Sequence, residues 1–100
     1  MTPEGKVKAK VKKILDEHGV YYFLPATGGY GRAGVPDIIA CVDGQFVAIE
    51  TKAGKGELTA LQKRELKRIE ENGGHAFVIN ETSLYVLEKY FQLIDEDGRC

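Results

Sequence analysis

From Pro3 onward the apolar residues Val7, Val11, Ile14 and Leu15 return at helical spacing among charged neighbours, and Gly19 stands where such a helix would close. Proline suits a first helical turn, so the pattern predicts a helix over residues 3–18. Val20 to Leu24 is rich in β-branched and aromatic residues and predicts a strand. The periodicity then dissolves into a Gly-rich stretch from Pro25 to Pro36, long enough to expect a functional loop. Two apolar runs follow, residues 37–42 and 45–52, separated by Asp43-Gly44, a pair that tolerates the positive φ angles of a two-residue hairpin turn. Thr59 to Asn72 reads as a second helix closed by Gly73-Gly74, His75 to Asn80 as a strand, and Thr82 to about Leu93 as a last helix before a polar tail. The order α-β-β-β-α-β-α predicts an α/β (α+β) protein, a mixed β-sheet flanked by helices, in one domain with its core over about residues 4–93.

The hairpin carries a geometric consequence. With Asp43-Gly44 as its loop, Val42 faces Gln45, and stepping back along both strands brings Asp37 opposite Glu50. Directly opposed residues of an antiparallel pair point to one face with Cβ atoms about 4.5–5.5 Å apart. Strand side chains alternate, so Lys52 shares the face of Glu50, while Thr51 is expected to point away and to offer only its main-chain carbonyl.

Composition bounds the setting. With 43% hydrophobic and 29% charged residues the chain is an ordinary globular one, and its net charge of −1 argues against a generally basic nucleic-acid binder. Charge is uneven, however: Lys and Arg outnumber Asp and Glu up to Arg68, and acids dominate after it. A basic front can meet a polyanion, although such gradients also arise as plain surface. Cys41 and Cys100 suggest neither a disulfide framework nor a thiolate zinc site. No apolar run approaches a membrane span, and the basic stretch Lys6 to Lys13 lacks the apolar core of a signal peptide, so an intracellular, non-membrane protein is expected.

Two carboxylates at hairpin distance repel unless a cation lies between them. Hard oxygen ligands of this kind suit Mg²⁺ or Mn²⁺, which activates water and neutralises phosphate oxygens, and a neighbouring lysine can orient that water. Asp37, Glu50 and the Thr51 carbonyl are thus candidate metal ligands, with Lys52 beside them. The alternative is a Pro-Asp turn and a surface ion pair. Against it, all three groups lie at the ends of apolar strands, where uncompensated charge is costly.

Gly34-Val35-Pro36-Asp37 followed by Glu50-Thr51-Lys52 resembles the PD-(D/E)XK nuclease motif. More narrowly, Arg32 to Asp37, Glu50 to Ala53 and Thr59-Ala60-Leu61-Gln62 resemble the virus-type replication-repair nuclease domain, VRR-NUC, over roughly residues 4–80. The resemblance implies a restriction-endonuclease-like core and a Mg²⁺- or Mn²⁺-dependent endodeoxyribonuclease related to Holliday junction resolvases. It further implies a homodimer acting on branched DNA, with no nucleotide cofactor, and Asp37, Glu50, Lys52 and Gln62 as catalytic residues. Family members carry a glutamate in the first helix where this chain aligns Lys8; Glu4 lies one turn earlier on the same side.

Gln62 admits two readings, the far end of a Thr59-x-x-Gln62 capping box and an inward-facing group on the stripe Leu58, Gln62, Leu66, Ile69. Gly28 to Gly34 is either a flexible turn or a phosphate-contacting loop, in which Tyr30, Arg32 and Gly34, with Lys55 nearby, would meet the DNA backbone. His18 and His75 are expected to be structural, and Tyr85, Tyr90 and Phe91 to pack in the core, with burial against a second subunit as the alternative. Besides an active nuclease, the sequence leaves room for a catalytically silent DNA-binding module, which the Lys8 departure favours, and for a protein-interaction domain.

Overall fold

The computed structural model describes residues 1–26 and 31–96. Tyr30, expected at the DNA backbone, lies outside them. Helix α1, Pro3–Glu17, starts where the Thr2 side chain accepts a hydrogen bond from the Gly5 amide at 3.0 Å, and buries Val7, Val11, Ile14 and Leu15. Gly19, at φ 66°, turns the chain so that the Val20 amide reaches the Leu15 carbonyl at 3.0 Å.

Strand β1 is Tyr21–Phe23, β2 is Ile38–Val42 and β3 is Gln45–Thr51; β1 pairs antiparallel with β2, and β2 with β3. Asp43 at φ 52° and Gly44 at φ 81° form the tight turn between β2 and β3, and the register runs from Val42 facing Gln45 to Ile38 facing Ile49. Helix α2, Ala60–Glu71, carries the chain back to β4, His75–Ile79, which pairs parallel with β3 and completes a sheet ordered β1-β2-β3-β4.

Helix α3 is Leu84–Glu96, two residues later at its start and three later at its end than the periodicity predicts. Before it, the Asn80 side chain accepts from the Thr82 amide and hydroxyl and from the Ser83 hydroxyl, while Ser83 Oγ accepts from the Asn80 amide. These bonds make a turn of residues 80–83 and delay the helix. At the other end, buried Ile94 carries it past Leu93.

Helices α1 and α3 share one face of the sheet: Val7, Val11, Ile14, Leu15, Leu87, Phe91 and Ile94 form one cluster with Ile38, Ala40, Val42, Val47 and Ile49. By alternation Phe46, Ala48 and Glu50 point to the opposite face, where α2 lies. Helix α2 leaves part of that face open, and Tyr21, Phe23 and Phe46 are exposed on it. Tyr85, expected in the core, is 68% exposed, because the buried stripe of α3 runs through Leu87, Phe91 and Ile94 instead. His18 stacks on Phe91, with ring centroids 4.2 Å apart.

Candidate active site

Asp37 sits immediately before β2, Glu50 and Thr51 end β3, and Lys52 follows. One step beyond the last pair, Ile38 with Ile49, sets Asp37 against Glu50, and the Asp37 main-chain amide favours the charged form of the Glu50 carboxylate. Asp37 Oδ2 accepts from the Thr51 amide at 2.9 Å and from the Thr51 hydroxyl at 2.7 Å. The hydroxyl contact corrects the expectation that only the main chain of Thr51 would be near the site. Asp37 precedes its strand, so its side chain is not held to the alternation of the ladder and reaches the far side of β3.

Glu50 is 2% exposed. Its Oε2 accepts from Gln62 Nε2 at 3.0 Å and lies 3.8 Å from Lys52 Nζ, whose side chain is itself only 13% exposed. Burial pushes the Glu50 carboxyl up to about 7, and Asp37 and then Glu4 push the same way against the opposing pull of Lys52. A buried carboxylate set against a second, partly exposed one, and held near neutral pH, is a site whose repulsion a divalent cation relieves, so the donor set suits a hard metal ion.

Gln62 fulfils both of its readings. Its Oε1 accepts from the Thr59 amide at 2.9 Å, while its own main-chain amide donates to Thr59 Oγ1 at 3.1 Å; the two bonds complete the capping box of α2. Its Nε2 is left free for Glu50. The residue that starts the helix therefore also fixes the orientation of a buried carboxylate.

From α1 comes Lys8, whose Nζ lies 3.6 Å from Asp37 Oδ1. Glu4 acts at longer range, through its charge on Glu50. Among the described residues, no group of three His, Cys, Asp or Glu is close enough to hold a metal, so Glu4 does not join Asp37 and Glu50 as a third carboxylate.

The loop before Asp37 is fastened to α2 by two contacts. Arg32 donates from Nε and Nη2 to the two carboxylate oxygens of Glu65, both at 2.8 Å. That edge of the guanidinium, expected to face DNA, is occupied, although the side chain remains 58% exposed. Gly34 has φ 78°, and a Cβ there would stand 2.7 Å from the Leu61 carbonyl carbon, so glycine is demanded by packing. Lys55 is exposed in the turn at Ala53–Gly56, where the Gly54 amide donates to Glu81. Glu65 is the residue that sequence reasoning missed. It is 6% exposed, and the Arg32 hydrogen bonds hold its carboxyl down to about 2. Its only sequence signal was a lone acid among Lys63, Arg64, Lys67 and Arg68.

A mixed sheet whose central hairpin gathers Asp37, Glu50 and Lys52 at one end, with α2 supplying Gln62, defines a nuclease domain of the PD-(D/E)XK class with a restriction-endonuclease-like fold; Lys8 from α1 is the departure from it. Residues 5–89 match the family model described as archaeal Holliday junction resolvase (Hjc). The chain belongs to that family, and is a nuclease. Among solved structures, it resembles a "VRR_NUC domain" at 24% identity and TM-score 0.75, over 92% of this chain and 97% of that one. It likewise resembles a "VRR_NUC domain protein" at 20% identity and TM-score 0.73, over 92% and 90% of the two chains. No curated protein matches the chain.

Proposed function

We propose that this chain is a metal-dependent endodeoxyribonuclease that hydrolyses phosphodiester bonds in branched DNA, with four-way junctions as its preferred substrate and a homodimer as its working form. The observation that carries this reading is the buried Glu50 carboxylate, set against Asp37 and touched by both Lys52 and Gln62.

Asp37, Glu50 and the main-chain carbonyl of Thr51 would hold the ion. Mg²⁺ or Mn²⁺, when bound, supplies an acidified water and charge neutralisation at the phosphate. The chain's own groups do the rest. Thr51 fixes Asp37 through two hydrogen bonds to Oδ2, and Gln62 fixes Glu50 through Oε2, so neither carboxylate needs to reorganise. Lys52, largely withdrawn from water beside Glu50, would orient the attacking water or meet charge developing on the phosphate. Lys55, the open edge of Arg32, Tyr30 and Gly34, which flank the motif residues Asp37 and Lys52 in the sequence, would serve as backbone contacts for DNA.

The family supports the choice of junctions, and paired incision of a four-way junction calls for two sites related by a two-fold axis. A catalytically silent DNA-binding module is the second reading, favoured by the ion pair that places Lys8 on Asp37.

The experiment is nicking of a four-way junction and of matched linear duplex, with Mg²⁺, Mn²⁺ and EDTA, by wild type, Asp37→Ala and Lys52→Ala. Metal-dependent junction nicking lost in both variants is expected. Junction binding without cleavage under either ion would transfer the assignment to the silent module.

A further inference from the structure

The two oxygens of Asp37 have different surroundings. Oδ2 is engaged by the Thr51 amide and hydroxyl. Oδ1 accepts no hydrogen bond among the described residues and faces the Lys8 ammonium at 3.6 Å. A cation shared by Asp37 and Glu50 therefore has Oδ1 as its natural ligand on the Asp37 side, and this is the oxygen that Lys8 covers. The Lys8 side chain is 31% exposed and that of Asp37 20%, so the pair is wet enough to open without leaving a charge buried. Lys52 is a different case: it is largely buried, and it sits on Glu50 rather than on Asp37.

We infer that Lys8 is an exchangeable counter-ion of the metal site, neutralising Asp37 in the metal-free protein and giving way to the cation when it binds. This rests on the proposal that Asp37 and Glu50 hold a divalent ion. The ammonium and the ion compete for one oxygen, so Lys8 weakens metal binding and helps set the concentration at which the site fills. Released at the mouth of the site, the same ammonium is available to a phosphate of the DNA strand. Metal and DNA then bind with positive coupling, because each takes one partner of an ion pair that would otherwise close on itself.

The test is calorimetric titration of Mn²⁺ into wild type, Lys8→Met, Lys8→Glu and Asp37→Asn, without DNA, with melting temperatures in EDTA to confirm folding. Methionine keeps the length and helix preference of lysine and removes its charge. Lys8→Met should bind Mn²⁺ more tightly by on the order of three- to tenfold, the range a partly exposed ion pair supports. Lys8→Glu, which adds a carboxylate, should bind more tightly again, and Asp37→Asn should bind weakly or not at all. In a second measurement, Ca²⁺ should strengthen junction binding by wild type more than by Lys8→Met. Binding by wild type that depends on Asp37 but is unchanged or weaker in Lys8→Met overturns this inference and leaves the metal site standing. Binding indifferent to Asp37, or no binding by any folded variant, overturns both.

Discussion

Glu50 is the residue on which pH acts most directly. Burial pushes its carboxyl up to about 7 in the folded chain, against about 4.5 for an ordinary glutamate. Between those values the folded state holds a proton that the unfolded state has released, so stability falls as pH rises from about 4.5 to 7 and the full penalty is present above 7. In EDTA, Glu50→Gln should therefore be more stable than wild type at pH 8, by on the order of 2–3 kcal/mol, with the advantage vanishing near pH 4. Melting curves across that range measure it, and a pH-independent difference would refute it. Bound metal demands the ionised form, so cation affinity should rise through the same window. Gln62 allows a second separation. Gln62→Glu keeps an oxygen for the Thr59 amide and loses the donor to Glu50, so helix α2 should persist by circular dichroism while nicking falls by roughly 10- to 100-fold, as is common for groups that orient metal ligands.

Among the elements, the loop before β2 and helix α2 behave as one piece. Gly34→Ala places a Cβ 2.7 Å from the Leu61 carbonyl carbon at a backbone φ of 78°, which combines steric overlap with strain. A loss of about 2–4 kcal/mol in urea unfolding is expected. Glu65 holds the same junction electrostatically. Its carboxyl is drawn down to about 2 by Arg32 first and Arg64 after it, so its contribution is complete above the ordinary carboxylate range and disappears as pH falls towards 2. Glu65→Gln should destabilise the protein at pH 7 and match wild type near pH 2. It should also loosen the approach to Asp37, seen as lower junction affinity with little change in Mn²⁺ affinity.

For the molecule as a whole, the sheet face bearing Tyr21, Phe23 and Phe46 offers an aromatic surface that α2 covers only in part among the described residues. A homodimer that buries this face should dissociate when a charge is placed in it. Light scattering should show a dimer for wild type and a monomer for Phe46→Glu, with Asp37 and Glu50 untouched. A wild type that stays monomeric at tens of micromolar in the presence of junction DNA would remove the dimer from the proposal.

The helices, the strands and the hairpin register were legible along the chain because each rests on local physics: Thr2 and Thr59 cap helices, Asp43-Gly44 accepts positive φ, and alternation sorts Val47 and Ile49 from Glu50. Opposition of Asp37 and Glu50 followed from that register alone. What depended on distant residues meeting was decided by tertiary packing. The Arg32–Glu65 pair joins residues 33 positions apart, and Glu65 is buried only because the loop folds over α2. Thr51 reaches Asp37 only because the latter lies outside its strand. Lys8, an anomaly in the sequence, has its meaning from the docking of α1, which sets its ammonium against the one Asp37 oxygen not engaged by Thr51.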